Sequence, residues 1–195
     1  YPQTVFPYQK LLDVNRQRSR QELEYELTDT GIFDGDRYFD VFIEYAKSSA
    51  DDILIRITVH NRSDQAAHLD LLPTLWYRNT WSWERGYEAD IPKPKISQVS
   101  RSQVIAEHQT LGRYRFDADT DQQGNLPSWL FTENETNTEV LYGVPNASGF
   151  AKDGFHRAII QNDAASVRLD HGTKAAAHYR FIIAGGGKAI VRLRL

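Results

Sequence analysis

Two glutamates come nearer than any other side chains in this sequence to forming a catalytic pair. Glu133 and Glu135 are separated by one residue in a polar segment that follows Phe131. On a strand, residues two apart share a face and lie about 7 Å apart. That separation is near the range in which inverting glycosidases hold their general acid and base. Because the spacing is also common by chance, we assign no catalytic residue from it.

Other patterns that could bind a metal are incomplete. Asp34-Gly35-Asp36 lacks the third oxygen ligand in register and the closing glutamate of a calcium loop, so it predicts a turn before a strand. The sequence has no cysteine, which excludes thiolate metal sites and disulfides. No metal spacing is present among the six histidines, which are His60, His68, His108, His156, His171 and His178. We expect neither a metal nor a cofactor.

Tryptophans offer a binding surface. A polar turn directly after an apolar run contains two of them, and its candidate contact residues are Arg78, Asn79, Trp81 and Trp83. Tryptophan is buried on average, so a surface turn with two of them indicates contact with a sugar ring or with another domain. The alternative is a loop that folds back over the core of its own domain. Trp76 and Trp129 are further candidate platforms for a sugar.

The composition excludes several classes of protein. Hydrophobic residues make up 41% and charged residues 25% of the chain, as is ordinary for a globular protein. The net charge is −3 and the basic residues are scattered, so we expect no nucleic-acid partner. No apolar run approaches the length of about 18 residues that a membrane span needs. The absence of cysteine fits the cytoplasm, and the absence of methionine, even at position 1, predicts that the chain belongs to a larger protein.

Apolar and polar residues alternate with a period of two through most of the chain, and this pattern predicts strands. One face of the first strand carries Phe39, Val41, Ile43 and Tyr45. The strand candidates are residues 38–45, 53–59, 67–75, 103–107, 112–117, 129–132, 139–142, 158–161, 176–183 and 188–195.

The connections also favour an antiparallel fold. Three glycines at 185–187 stand between two alternating runs and predict a hairpin, and the polar residues 61–65 predict a similar connection. Residues 9–26 could hold a short helix, although Pro2 and Pro7 disfavour an early one. We therefore expect an all-β protein with little helix, a large antiparallel β-sandwich that forms a single domain over residues 1–195.

Several strings together resemble one known family. They include Leu72-Pro73-Thr74-Leu75-Trp76 and the segments 24–33, 37–41, 78–83, 130–137, 144–147, 152–154 and 172–179. The chain resembles the N-terminal region of bacterial proteins related to family 63 glycoside hydrolases, the mannosyl-oligosaccharide glucosidase group. The resemblance implies a β-sandwich packed against an (α/α)6 barrel, which carries the acidic pair and an inverting mechanism. No such barrel is present in residues 1–195, so it would follow residue 195 and no catalytic residue of the family can be placed in this chain.

Two functions follow as expectations. The first is a non-catalytic N-terminal β-sandwich domain of a glucosidase-like hydrolase that acts on oligosaccharides. Its partner would be the downstream catalytic barrel, which it packs against and supports, and the chain would be inactive alone. The alternative is a stand-alone carbohydrate-binding module that binds an oligosaccharide through exposed tryptophans.

Overall fold

The computed structural model describes residues 1–83 and 92–195, with the backbone alone for Trp83. The helices in these residues are α1 (Tyr8–Gln17), α2 (Thr138–Tyr142) and α3 (Gly154–Ile160). The strands are β1 (Phe39–Ser49), β2 (Asp52–Asn61), β3 (Ala67–Leu71), β4 (Thr74–Trp76), β5 (Lys95–Ser100), β6 (Gln103–His108), β7 (Gly112–Ala118), β8 (Ser128–Thr132), β9 (His171–Gly172), β10 (Lys174–Ile183) and β11 (Lys188–Arg194).

The described strands form two antiparallel sheets. The order in the seven-stranded sheet is β1-β2-β11-β7-β6-β5-β9, and the four-stranded sheet has the order β3-β10-β4 with β8 also paired to β10. These sheets, with few helical residues beside them, confirm the predicted all-β antiparallel fold class. None of the helices in the described part of the chain has the length and apolar character needed to cross a membrane.

The described residues divide into two compact units. The first unit comprises Tyr1–Glu44, Arg56–Leu69 and Phe181–Ile190, and the second comprises Tyr45–Ile55, Asp70–Arg180 and Val191–Leu195. The expectation of one sandwich domain over the whole chain stays a prediction.

A buried asparagine holds part of the first unit together. Asn61, at the end of β2, is 1% exposed. Its side-chain amide donates to the carbonyl oxygens of Gln65, Ile183 and Ala184 at 2.7, 2.9 and 3.2 Å. Because a buried amide needs partners for its polar atoms, these bonds fix the end of β2 against the end of β10.

The predicted hairpin at the glycine turn is wrong. Residues 184–187 do form a tight turn, with the Gly187 amide donating to the Ala184 carbonyl oxygen at 2.9 Å. However, β10 belongs to the four-stranded sheet and β11 to the seven-stranded sheet, so the turn joins two sheets. The connection after β2 likewise leads from one sheet to the other. Local sequence determines a turn, but the pairing of the flanking strands depends on distant residues.

Two predicted strands are helices in the structure. Residues 139–142 lie in α2, where the Asn137 side chain accepts from the Val140 amide and Gly143 ends the helix at φ 68°. Residues 158–160 lie in α3, whose Phe155 packs with Leu130, Val167 and Ala176. Short apolar runs do not distinguish a strand from a helical turn by periodicity, which explains both errors. Pro7 does not prevent a helix either, because α1 begins at the next residue.

The face predicted to be buried on β1 is only partly buried. Phe39 is 3% exposed, but Ile43 and Tyr45 are 51% and 69% exposed. The reason is topological, since β1 is the first strand in the order of its sheet and has β2 as its neighbour. Alternation predicted which residues share the face but not how much of that face is buried.

A close backbone approach in the second unit brings β9 against the end of β8. A Cβ on Gly172 would lie 2.3 Å from the carbonyl oxygen of Thr132. That contact lets the Thr173 amide donate to the same oxygen at 3.1 Å. Glycine is therefore needed at 172, and it places Thr173 next to Glu133.

We expect Gly172→Ala to lower the free energy of unfolding by about 1–3 kcal/mol, because the added methyl group must displace the Thr132 backbone. Denaturant unfolding measures the change. The control is Gly149→Ala, where a Cβ meets no atom within 4 Å, and it should alter stability by less than about 0.5 kcal/mol. Equal effects from the two variants would contradict the packing argument.

Candidate functional site

A charged cluster lies where the chain leaves β8, and it is centred on Glu133. The guanidinium of Arg168 donates to one carboxylate oxygen at 2.6 Å. The other oxygen accepts from the Thr173 hydroxyl at 2.9 Å and lies 3.0 Å from the ammonium of Lys93. Both oxygens of this 5% exposed residue therefore have donors.

Backbone pairing along β8 delivers two of these donors. Phe131 and Arg168 exchange both backbone hydrogen bonds at 2.9 Å, which places the Arg168 side chain beside the residue that follows β8. Thr173 is held by its amide bond to the Thr132 carbonyl oxygen. Two consecutive β8 residues therefore position two partners of Glu133: Phe131 positions Arg168, and Thr132 positions Thr173.

The second glutamate connects the cluster to the tryptophan turn. One oxygen of Glu135 accepts from the indole nitrogen of Trp81 at 2.8 Å and from the Lys93 ammonium at 2.7 Å. Lys93 also lies 5.4 Å from the centre of the Trp81 ring, within the range of a cation–π contact. A single ammonium therefore bridges both glutamates and contacts the tryptophan.

The electrostatics keep both Glu133 and Lys93 charged. Burial raises the pKa of Glu133, but hydrogen bonds from Lys93, Arg168 and Thr173 lower it more, and the net pKa lies below the usual glutamate value. Burial lowers the pKa of Lys93, whereas its bonds to Glu135 and Glu133 raise it, and the net pKa is raised. The cluster contains two carboxylates and two cations, so its formal charges balance.

This arrangement is suited to holding segments together, and it does not fit Glu133 as the general acid of a glycosidase. A glycosidase general acid needs a raised pKa so that it carries a proton at neutral pH. Glu133 has a lowered pKa, and donors occupy both of its oxygens. The chemistry that the cluster supports is a buried, fully compensated ionic contact.

The tryptophans predicted as contact residues have different surroundings. Trp76, at the end of β4, is 55% exposed. Trp81 is half-buried in a short 3-10 helix, Trp81–Trp83, and uses its indole nitrogen internally. The Trp83 side chain and Glu84 lie outside the described residues.

Trp129 is a correction to the sequence prediction. It is 3% exposed, its indole nitrogen donates to the Arg101 carbonyl oxygen at 3.1 Å, and its ring lies near Phe116 and Phe131. Because it belongs to the core, it is not a platform for a sugar. Alternation on β8 could not separate a core tryptophan from a surface one.

The polar residues of the tryptophan turn are arranged locally. Asn79 accepts from the Ser82 amide at 3.1 Å and donates to the Ser82 hydroxyl at 3.0 Å. Arg78 is exposed. The structure therefore brings Trp81 together with Glu135, whereas Asn79 serves to close the turn.

Sequence reasoning missed Lys93, Arg168 and Thr173. Lys93 stands between two prolines, and the other two lie 35 and 40 residues after Glu133. No spacing rule links such distant residues. The available signal was the pair of glutamates itself. A carboxylate that follows a buried strand and is itself buried needs a cation as its partner.

The described residues form no cluster of potential metal ligands. Within residues 1–83 and 92–195, no group of three or more histidine, cysteine, aspartate or glutamate side chains is placed to hold a metal ion. Asp34–Asp36 forms a short 3-10 helix before β1, which confirms the predicted turn.

Comparison with known proteins gives one informative similarity. No protein-family model matches the chain. The chain is 30% identical to an uncharacterized protein of Saccharomyces cerevisiae over an alignment 209 positions long. The alignment covers 93% of this chain and 19% of the yeast protein, so the chain spans about a fifth of the length of this relative.

We expect Glu133→Gln to lower the free energy of unfolding by about 3 kcal/mol at pH 7, because it leaves the buried end of Arg168 without its countercharge. The lowered pKa of Glu133 gives the sign of the pH dependence. The stabilisation that ionised Glu133 provides is fully present above the pKa of a glutamate in the unfolded chain, which is about 4.3. It is lost as the pH falls through the lower pKa of Glu133 in the folded chain. The difference between wild type and variant should therefore shrink below about pH 4.

The matched control is Glu107→Gln. Glu107 lies 3.7 Å from the guanidinium of Arg113, and both side chains are exposed. The effect of this substitution should stay below about 0.5 kcal/mol at every pH. Denaturant unfolding between pH 3 and pH 7 measures both variants. If the free energy of unfolding of Glu133→Gln stays below that of wild type by the same amount over the whole pH range, the effect is steric and the ionic role is contradicted.

Proposed function

We propose that this chain is a non-catalytic β-sandwich domain of a longer, glucosidase-like glycoside hydrolase, in which it packs against and supports the catalytic barrel. The observation that carries the proposal is the shared ammonium of Lys93 between Glu133 and Glu135. These two glutamates are the carboxylates whose spacing suggested an acid–base pair, and the ammonium that they share supports a structural role for them instead.

The similarity to the yeast protein supports a role inside a longer chain. A segment that corresponds to about a fifth of its relative is of the size of one domain. The hydrolase assignment, the oligosaccharide substrate and the barrel as partner rest on the sequence resemblance.

The tryptophan turn is the part of the domain that we assign to the contact with the barrel. Trp81 is held by Glu135, and Lys93 lies against its ring, so a sugar would have to compete with the ammonium. Tryptophan that is rigidly held and partly exposed is typical of interface hot spots.

Trp76 favours the alternative of a carbohydrate-binding module. Its side chain is 55% exposed at the end of β4, and an exposed indole can stack on a sugar ring. This alternative predicts saturable binding by the isolated chain, whereas a supporting domain predicts none.

The first test incubates the chain with α-linked gluco- and manno-oligosaccharides and follows both product formation and tryptophan fluorescence. We expect no turnover and no saturable binding below about 1 mM, a threshold that corresponds to roughly 4 kcal/mol. Turnover that disappears in a folded Glu133→Gln variant would overturn the non-catalytic assignment. Binding that disappears in Trp76→Ala would establish the alternative.

The second test uses the full-length parent protein. Trp81→Ala should weaken the contact between the domain and the rest of the protein, which lowers activity and exposes the intervening chain to limited proteolysis. Trp76→Ala is the control and should leave both readouts unchanged. A parent protein that keeps full activity and protease resistance with Trp81→Ala would contradict the assigned contact.

A further inference from the structure

The start of the chain forms the beginning of an additional strand beside β1. The amino group of Tyr1 donates to the Phe39 carbonyl oxygen at 2.8 Å, and the Phe39 amide donates to the Tyr1 carbonyl oxygen at 2.7 Å. Pro2 and Tyr38 form an antiparallel bridge, and the Gln3 amide donates to the Arg37 carbonyl oxygen at 3.1 Å. Residues 1–3 therefore run antiparallel to the strand that they join.

Strand alternation identifies the backbone groups that continue this ladder. Tyr1 and Phe39 exchange both hydrogen bonds, so the amide and carbonyl of Phe39 point to the outer edge of β1. Because successive residues of a strand point their backbone groups to opposite sides, Val41 and Ile43 also present theirs to the outer edge. Among the described strands, β2 is the neighbour of β1, and it lies on the other side.

Within residues 1–83 and 92–195, the first half of β1 shows few of the features that protect an edge strand. Natural edges are shortened, bulged or interrupted by proline or lysine. β1 is 11 residues long, and residues 39–44 contain neither proline nor lysine. Both acidic residues of this stretch form ion pairs with arginines of the same unit. Asp40 pairs with Arg62 at 2.6 Å, and Glu44 pairs with Arg56 at 2.7 Å.

An exposed apolar side chain accompanies these outward-facing backbone groups. Ile43 is 51% exposed, and its neighbour Phe42, whose backbone faces β2, is 50% exposed. Ile43 continues the face on which Phe39 is buried at 3% exposure. A strand placed beside Val41 and Ile43 would extend the same apolar face over Ile43.

We propose that the outer edge of β1 is a binding site for one more strand, an extended segment directly ahead of Tyr1 that runs antiparallel to β1. The ladder already formed by Tyr1 and Phe39 sets its register. In this register the second position ahead of Tyr1 pairs with Val41 and the fourth pairs with Ile43, so apolar side chains at these two positions would extend the apolar face. Because Tyr1 is already paired with Phe39, the entropic cost of loop closure for a segment directly ahead of Tyr1 is small.

The experiment adds five residues in front of Tyr1 and leaves the rest of the chain unchanged. One variant carries Thr-Val-Thr-Val-Thr, which puts valine at the second and fourth positions ahead of Tyr1. A second carries Val-Thr-Val-Thr-Val, which turns the valines to the opposite face, and a third carries Gly-Ser-Gly-Ser-Gly. In each of them the Tyr1 amino group becomes an ordinary amide that can still donate to Phe39.

Amide hydrogen exchange at Val41 and Ile43, followed by NMR, is the readout. We expect the Thr-Val-Thr-Val-Thr variant to slow exchange at both amides by roughly tenfold or more relative to the unextended chain. The Gly-Ser extension should change it less than about twofold, and the valine-shifted extension should fall between the two. The amides of Phe42 and Glu44, which face β2, serve as internal references.

Two results would overturn the proposal. One is unchanged exchange at Val41 and Ile43 in the Thr-Val-Thr-Val-Thr variant. The other is protection of these amides in the unextended chain that increases with protein concentration, because a second copy would then occupy the edge.

Discussion

A carboxylate removed from water at the end of β8 is the constraint on which much of the second unit depends. An ionised group that is 5% exposed is destabilising by several kcal/mol unless it is fully compensated. Glu133 meets this requirement through Arg168 and Thr173, which flank β9, and through Lys93, which precedes β5. The need to satisfy one side chain therefore specifies how β8, the residues before β9 and the residues before β5 come together.

The same requirement explains the glycine and the tryptophan beside the cluster. Gly172 permits the approach that brings Thr173 into place, and a larger residue there would separate the hydroxyl from the carboxylate. Glu135 extends the network to Trp81 through the lysine that already serves Glu133. Polar networks of this kind stabilise only when every member is satisfied.

Sequence reasoning succeeded where a local pattern decides the structure. Alternation identified β2 and β6 to within a few residues, and on β2 it gave the buried side chains Ile57 and Val59. It failed where distant residues decide, as at the glycine turn that joins two sheets, and at short apolar runs such as α2. The glutamate pair was visible in the sequence, but its partners were not, because Arg168 and Thr173 reach it through backbone pairing with β8. The period of a strand can indicate which face is apolar, and only the tertiary structure shows that Trp129 is buried and Trp76 exposed.

The apolar side chains that helix α2 exposes fit the proposed role within a larger protein. Helix α2 presents Val140, Leu141 and Tyr142 at 74%, 61% and 71% exposure. Its position is fixed by Asn146, whose side-chain oxygen accepts from the Thr138 amide at 2.8 Å and from the Thr138 hydroxyl at 3.1 Å. Three adjacent apolar side chains that are exposed together form the kind of patch that marks an interaction site. Hydrogen bonds that hold such a patch in place favour contact with a neighbouring domain, because a rigid surface loses little conformational entropy on binding.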